Sequence, residues 1–478
     1  MPEIHPAGRK RESVAEPPAG WSRLKWFGPG LLWMVASVGS GSVLFTPRVG
    51  SRYRFDMLWI ALLGGFLTWV IIKEIGRYTV VTGKTILEGY GDVHGPKGWA
   101  IWIIFLPGIA SGIVMVAGIS ALVASALMIA LPGGQLMYGP IVIIGCATLV
   151  LSGHYATIEK TASLMAAVLV ISALVTAVVV FPGWQTFTAG LVPVIPSDFD
   201  AYFVLPWVGF LLAGAAGVMW FSYWVAARGM GGPVEGESEL TLGEESPAQQ
   251  PRVDAQTRMK WLRRWMIVMA ATAALGVVTG TIVNISFLTL GAELLAPLDT
   301  VPEGIGVAED LAMLLSEVWG RPGFWLLIIS IVIALTGSVL ANQDGWGRMF
   351  ADATRMLLRQ HRLSLDTDHS DGRFSRLARA LLANHFRLKR MYVVVVLTGV
   401  PLLVFFLLRD PVRILSIGGI ISAAHMPVVV LLTLHVNRRH LPEPLRPGFI
   451  WSAIMILVGL YYAIFAGFYF YGLLTGRA

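Results

Sequence analysis

Positions 99–130 and 265–292 contain no Asp, Glu, Lys or Arg, and each stretch exceeds the roughly 20 apolar residues that carry a helix across a bilayer. A soluble fold has no surface on which to place such runs. The rest of the chain agrees, being 55% hydrophobic and 14% charged with a mean hydropathy of +0.69, against about 25% charged residues in a typical globular protein. Similar runs recur near residues 28–46, 57–80, 137–153, 161–181, 203–227, 323–343, 391–408, 412–436 and 449–474. With the first two they make eleven expected spans, numbered one to eleven below. The runs are apolar on every face, whereas a membrane β-strand is short and alternates polar with apolar residues. The fold class expected is therefore all-α, a polytopic bundle in the lipid bilayer.

Charge gives an orientation. With the N-terminus in the cytoplasm, 29 of the 36 Lys and Arg residues fall on the cytoplasmic side and 7 on the other, the asymmetry of the positive-inside rule. Arg48, Arg52 and Arg54 in the first external loop are the discordant group. The C-terminus is then outside, and the cell membrane is the expected location. The net charge of +7 comes mainly from cytoplasmic stretches such as 348–390, which suit anionic lipid headgroups better than nucleic acid. Residues 1–27 are polar and show no short apolar segment with a cleavage site, so a cytoplasmic tail is expected rather than a removable leader. Cys146 is the single cysteine, which excludes an intrachain disulfide and a multi-cysteine metal site.

Two polar stretches interrupt the membrane pattern and read as cytoplasmic loops, 229–264 and 345–390. The first has the composition of a flexible linker; part of the second, 346–360, suits an amphipathic helix along the membrane surface. His154 and Glu159 read as solvated loop residues. Spans one and six each carry a cluster of small residues in mid-membrane, Gly39-Ser40-Gly41-Ser42 and Gly214-Ala215-Ala216-Gly217. Their five-span separation suggests two inverted repeats, 28–181 and 203–436, with 449–474 as an extra helix. In such transporters, helices broken at matching positions expose backbone groups that bind substrate near the midplane. Close helix packing by small residues accounts for the same clusters.

Particular residues carry a family resemblance. Gly28-Pro29-Gly30-Leu31-Leu32 opening span one resembles the start of the Nramp divalent metal transporters, and the stretch from Leu58-Trp59-Ile60 to Val80-Val81-Thr82-Gly83-Lys84 is similar to their second span. The resemblance implies an inverted five-helix-repeat fold with broken spans one and six, and secondary transport of a divalent cation by alternating access. In that family the ion is held by an Asp-Pro-Gly-Asn break in span one and a Met-Pro-His break in span six. Gly39, Ser40, Gly41 and Ser42 stand on the first motif and keep only its Gly; Val218-Met219-Trp220-Phe221 stands on the second and keeps its Met. The resemblance thus implies Ser42 and Met219 as metal ligands. It sets His425 at a span-ten position where the family often has Gln facing the substrate; a neutral His bonded to a backbone carbonyl accounts for His425 equally. The candidate substrate-binding residues are Gly39, Ser40, Gly41, Ser42, Ala216, Met219 and His425.

The chemistry of that set is unusual for a divalent ion. A hard cation leaving water needs anionic oxygen ligands, yet the expected spans hold no Asp, Glu, Lys or Arg beyond Lys73, Glu74 and Arg77 near one end of span two and Arg413 at the outer edge of span ten. A site of the Ser42 hydroxyl, backbone carbonyls and the Met219 thioether is neutral, suited to a soft ion or to a hard one that keeps most of its water. A small neutral or anionic organic solute is the alternative cargo, since the positive end of a half-helix suits a carboxylate; a protein of this fold that no longer transports is another. No His-Glu-x-x-His motif, paired intramembrane Asp or nucleophile with a base is present, so an enzyme is not expected. Nor is a resident cofactor; any metal is cargo.

Overall fold

The computed structural model describes residues 14–30, 33, 39–96, 98–153, 156–232, 254–365 and 384–475. The described residues form an all-α bundle. Ten of their helices are long and apolar enough to cross a membrane, and they correspond to spans two to eleven. Span one is described at both ends, with a bend at Gly39, a π-helical turn Gly41–Phe45 and an α-helix Thr46–Tyr53. Span six is two helices, Ala201–Phe210 and Gly214–Ala227, separated by a turn in which Leu212 has φ 56° and Gly214 has φ 60°. The break falls one turn before the small-residue cluster, which instead opens the second half-helix.

Local chemistry sets the ends of these helices. Span two, Leu58–Thr82, stops at Gly83, whose left-handed φ of 75° lets its N–H reach back to the Thr79 carbonyl. The short helix Ile86–Gly91 then starts on a capping box of Thr85 and Glu88. Asp200 caps span six and Asp410 caps span ten, Pro411–His440, each accepting from two backbone N–H groups. Span two packs on spans six and seven, and span one on spans six and seven; span three, Trp99–Ala130, packs on spans four, eight and ten, and span ten also packs on span six. Large apolar side chains such as Leu403, Leu407, Leu457 and Phe468 face outward, as a lipid solvent permits.

The ends of the polar stretches differ from expectation. Span eight belongs to a helix, Val307–Leu365, that turns at Gly320 and does not stop near 343. Beyond that point Trp346, Met349, Phe350 and Ala353 are buried in the bundle. Their spacing of three and four is that of a core-facing helical stripe, so 346–353 is a continuation of the span with a buried face rather than a surface helix. Residues 233–253 and 366–383, the centres of the two expected loops, lie outside the described residues, as do 1–13, His154 and the Glu159 side chain. The longer helices also take charges into the bundle that the expected spans excluded. Arg48 and Asp344 are both buried; Arg48 pairs with Glu303 at 2.6 Å, and Asp344 pairs with Lys389 and Arg348.

Candidate substrate cavity

The two interruptions meet. Gly41 lies so close to span six that a Cβ there would stand 2.8 Å from the Phe210 carbonyl, so the approach requires glycine. Gly209 and Gly419 do the same where span six crosses span ten, a Cβ on Gly209 falling 1.9 Å from the Gly419 carbonyl. The second half-helix of span six is anchored by its Ala215 N–H, which donates to Ser422 Oγ of span ten at 2.9 Å. Thr46 secures the first break: its hydroxyl donates to Asn284 Oδ1 at 2.8 Å and accepts from Trp207 Nε1 at 3.0 Å, joining spans one, seven and six.

At this junction is a cavity of about 70 Å³, room for several water molecules. Gly39, Ser40 and Gly41 of span one form one wall with Ala216, Gly217 and Trp220 of span six. The lining is completed by Phe210 of span six, Ser111 and Met115 of span three, Ser338, Asn342 and Trp346 of span eight, and Ser422 of span ten. These lining residues include no carboxylate, imidazole or cationic side chain. Among the described residues no group of three or more His, Cys, Asp and Glu is arranged to hold a metal. Ser40 Oγ and Trp220 Nε1 are buried without a hydrogen-bond partner in the protein, a cost of about 1–3 kcal/mol each when nothing else satisfies them.

Of the residues singled out in the sequence, the structure brings Gly39, Ser40, Gly41 and Ala216 together on the wall. It does not bring Ser42, Met219 or His425 to it, although all three are buried. Helix phase explains Met219: Ala216, Gly217 and Trp220 share one face of the half-helix, and at 100° per residue Met219 lies off it. His425 stands on span ten with its Nε2 buried and without a partner. The sequence reading missed the rest of the lining. Ser338 and Asn342 sit four residues apart, the spacing of one helical face, but a span expected to end at 343 hid their continuity with Trp346.

Two of the lining residues belong to a run of aromatic packing. Trp220 lies over Gly345 and meets Trp346 edge-on with centroids 5.5 Å apart, and Trp346 packs on Phe350 at 5.3 Å. Below them Tyr223 Oη donates to Asp352 Oδ2 at 3.0 Å, and His385 Nε2 lies 3.0 Å from Asp352 Oδ1, tying spans six, eight and nine together. Near the opposite end of the bundle is a larger recess of about 780 Å³ whose wall includes Arg48, Glu303, Asp410 and Arg413. Away from both, Glu74 of span two is fully buried. Arg77 holds it at 2.7 and 3.1 Å, Asn437 of span ten donates to it, and Lys73 lies 3.5 Å away against the Trp451 ring.

Known proteins share this architecture. A solved structure of a mutant Eremococcus coleocola manganese transporter superimposes with a TM-score of 0.62 at 13% identity, covering 94% of this chain and 89% of that one. The nucleobase-cation-symport transporter MHP1 gives 0.51 at 14% identity over 91% and 90% of the two chains. These likenesses give the fold, the inverted five-helix repeat with broken spans one and six. An uncharacterized protein of Pasteurella multocida is 23% identical over 353 residues, 70% of this chain and 72% of its own length. The metal transporter Nramp3 of Oryza sativa is 30% identical over 87 residues, 18% of this chain and 16% of its own length. The family model for natural resistance-associated macrophage protein-like sequences matches residues 30–471. Matched by that model over nearly its whole length, the chain belongs to the Nramp family.

Proposed function

We propose that the protein is a secondary transporter that carries a divalent cation by alternating access, the ion keeping much of its water in the cavity between spans one and six. The observation that carries the reading is the cavity itself: a small uncharged chamber at the junction of two interrupted helices, where hydroxyls, an amide and backbone stand among Met115, Phe210 and two Trp rings, and no acid does. Magnesium-like ions give up water reluctantly and are held through part of their shell, which neutral oxygens in a water-sized chamber can do. The reading also draws on the likeness to metal transporters among the relatives described above. Gly39–Gly41 and Ala216 offer backbone at the breaks, and no resident cofactor is needed.

The Lys and Arg asymmetry supports placing the Tyr223–Asp352 end in the cytoplasm, the Arg48 recess outside, and the protein in the cell membrane. On that orientation the exit toward the cytoplasm is shut by Trp220, Trp346 and the Tyr223 bond, and transport requires them to part. The test is uptake into proteoliposomes of manganese, magnesium and calcium beside a panel of amino and carboxylic acids. Saturable uptake of a divalent ion is expected. Uptake of organic acids alone would instead favour the alternative that the neutral wall and the half-helix N-terminus at Ala216 and Gly217 also suit, an organic cargo on the same fold. Uptake of neither would point to a protein that no longer transports.

A further inference from the structure

Among the described residues that line the cavity, Asn342 is the one amide, and its two hydrogen bonds fix the way it faces. The Trp346 indole N–H can only donate, and it stands 3.2 Å from Asn342 Oδ1; the Ser338 carbonyl can only accept, and Asn342 Nδ2 stands 2.8 Å from it. Exchanging the amide oxygen and nitrogen would set donor against donor and acceptor against acceptor, so the orientation is settled by its partners. An amide oxygen has two lone pairs, of which the indole takes one. The other is left free of the indole, on a residue that lines a chamber without a carboxylate. Hydroxyls in the same lining turn to suit either a donor or an acceptor, whereas this oxygen is held as an acceptor before any solute arrives.

We propose that Asn342 Oδ1 is the principal cargo contact on span eight, accepting a hydrogen bond from water bound to the cation, and that Trp346 is its positioning residue. Water on a divalent ion is polarised into a stronger donor, and charge-assisted hydrogen bonds are about twice as strong as neutral ones. Ser338, one turn earlier on the same face, and Ser111 of span three, which also lines the chamber, extend the acceptor surface. Recognition is thereby moved from the broken spans to an unbroken stretch of helix packed on span three. This inference rests on the divalent cargo proposed above.

The experiment is manganese and magnesium uptake into proteoliposomes by the full chain, three single variants and one double variant, each first checked for a cooperative melt in detergent. Asn342→Asp places a carboxylate where charge is poorly screened, and is expected to lower the half-saturating concentration about tenfold. Asn342→Ala removes the acceptor and is expected to raise it about tenfold. Trp346→Phe keeps the ring and deletes the N–H, so half-saturation is expected to rise about threefold with Asn342 present and not to change further in the Asn342→Ala background, a dependence that neither altered closure nor general destabilisation would produce. If Asn342→Ala does not fold, the near-isosteric Asp variant still decides the matter. Wild-type uptake with half-saturation unchanged within about twofold in the folded variants overturns the assignment and leaves the cargo standing. Absence of wild-type uptake of either ion overturns the cargo, and the assignment with it.

Discussion

Around Glu74 the chain buries an acid with two cations, whereas the cavity at the breaks of spans one and six is lined by no charge. The first region is closed: every oxygen of Glu74 is engaged by Arg77, Asn437 or Lys73, and the group joins span two to span ten. The second keeps polar atoms without protein partners at its wall, Ser40 Oγ and Trp220 Nε1. Buried charge is retained when it is compensated internally, and buried polar groups left unsatisfied carry a cost that a bound solute or water removes. The difference separates a structural clamp from a place where something binds.

The largest expected effect comes from breaking the clamp. Glu74→Ala leaves Lys73 and Arg77 uncompensated and is expected to cost about 3–5 kcal/mol, seen as a large fall in melting temperature; an unchanged melt would remove the clamp from the comparison. Next is Met219→Ala, which empties core volume off the cavity wall. Its expected signature is a stability loss of roughly 2–5 kcal/mol with half-saturation preserved, and a shift in half-saturation at unchanged stability would restore the thioether as a ligand. Gly41→Ala acts on the wall itself, forcing a methyl group against the Phe210 carbonyl at a cost of about 1–3 kcal/mol, with uptake falling more steeply than the melting temperature. The smallest is Tyr223→Phe, which deletes one hydrogen bond of about 1 kcal/mol. In this variant a cysteine placed at Ser338 is expected to react faster with an impermeant maleimide applied from the Tyr223–Asp352 side, and equal labelling in wild type and variant would show that the bond is no latch.

Much of the fold was legible because the bilayer imposes a coarse rule. Long apolar runs gave ten helices now seen among the described residues, and the small-residue clusters pointed to the two interrupted spans. The motif ending span two had a local cause, since Val80-Val81-Thr82-Gly83-Lys84 stops the helix at a left-handed glycine. The site was legible only in part. Motif register identified Gly39, Ser40, Gly41 and Ala216, which line the cavity, and also Ser42, Met219 and His425, which are buried away from its wall. A register assigns a residue to a turn of helix, but the rotation of that turn depends on what the rest of the helix packs against.

The sequence by itself determined that this is a helical membrane protein and marked spans one and six as candidates for interruption, because hydrophobicity, span length and glycine placement are local properties. Tertiary structure decided that the two interruptions meet, that Ser338 and Asn342 complete the chamber from span eight, and that Arg48 and Asp344 are buried with partners from distant parts of the chain. Those outcomes depend on contacts between helices far apart in sequence, where close packing fixes which face turns inward.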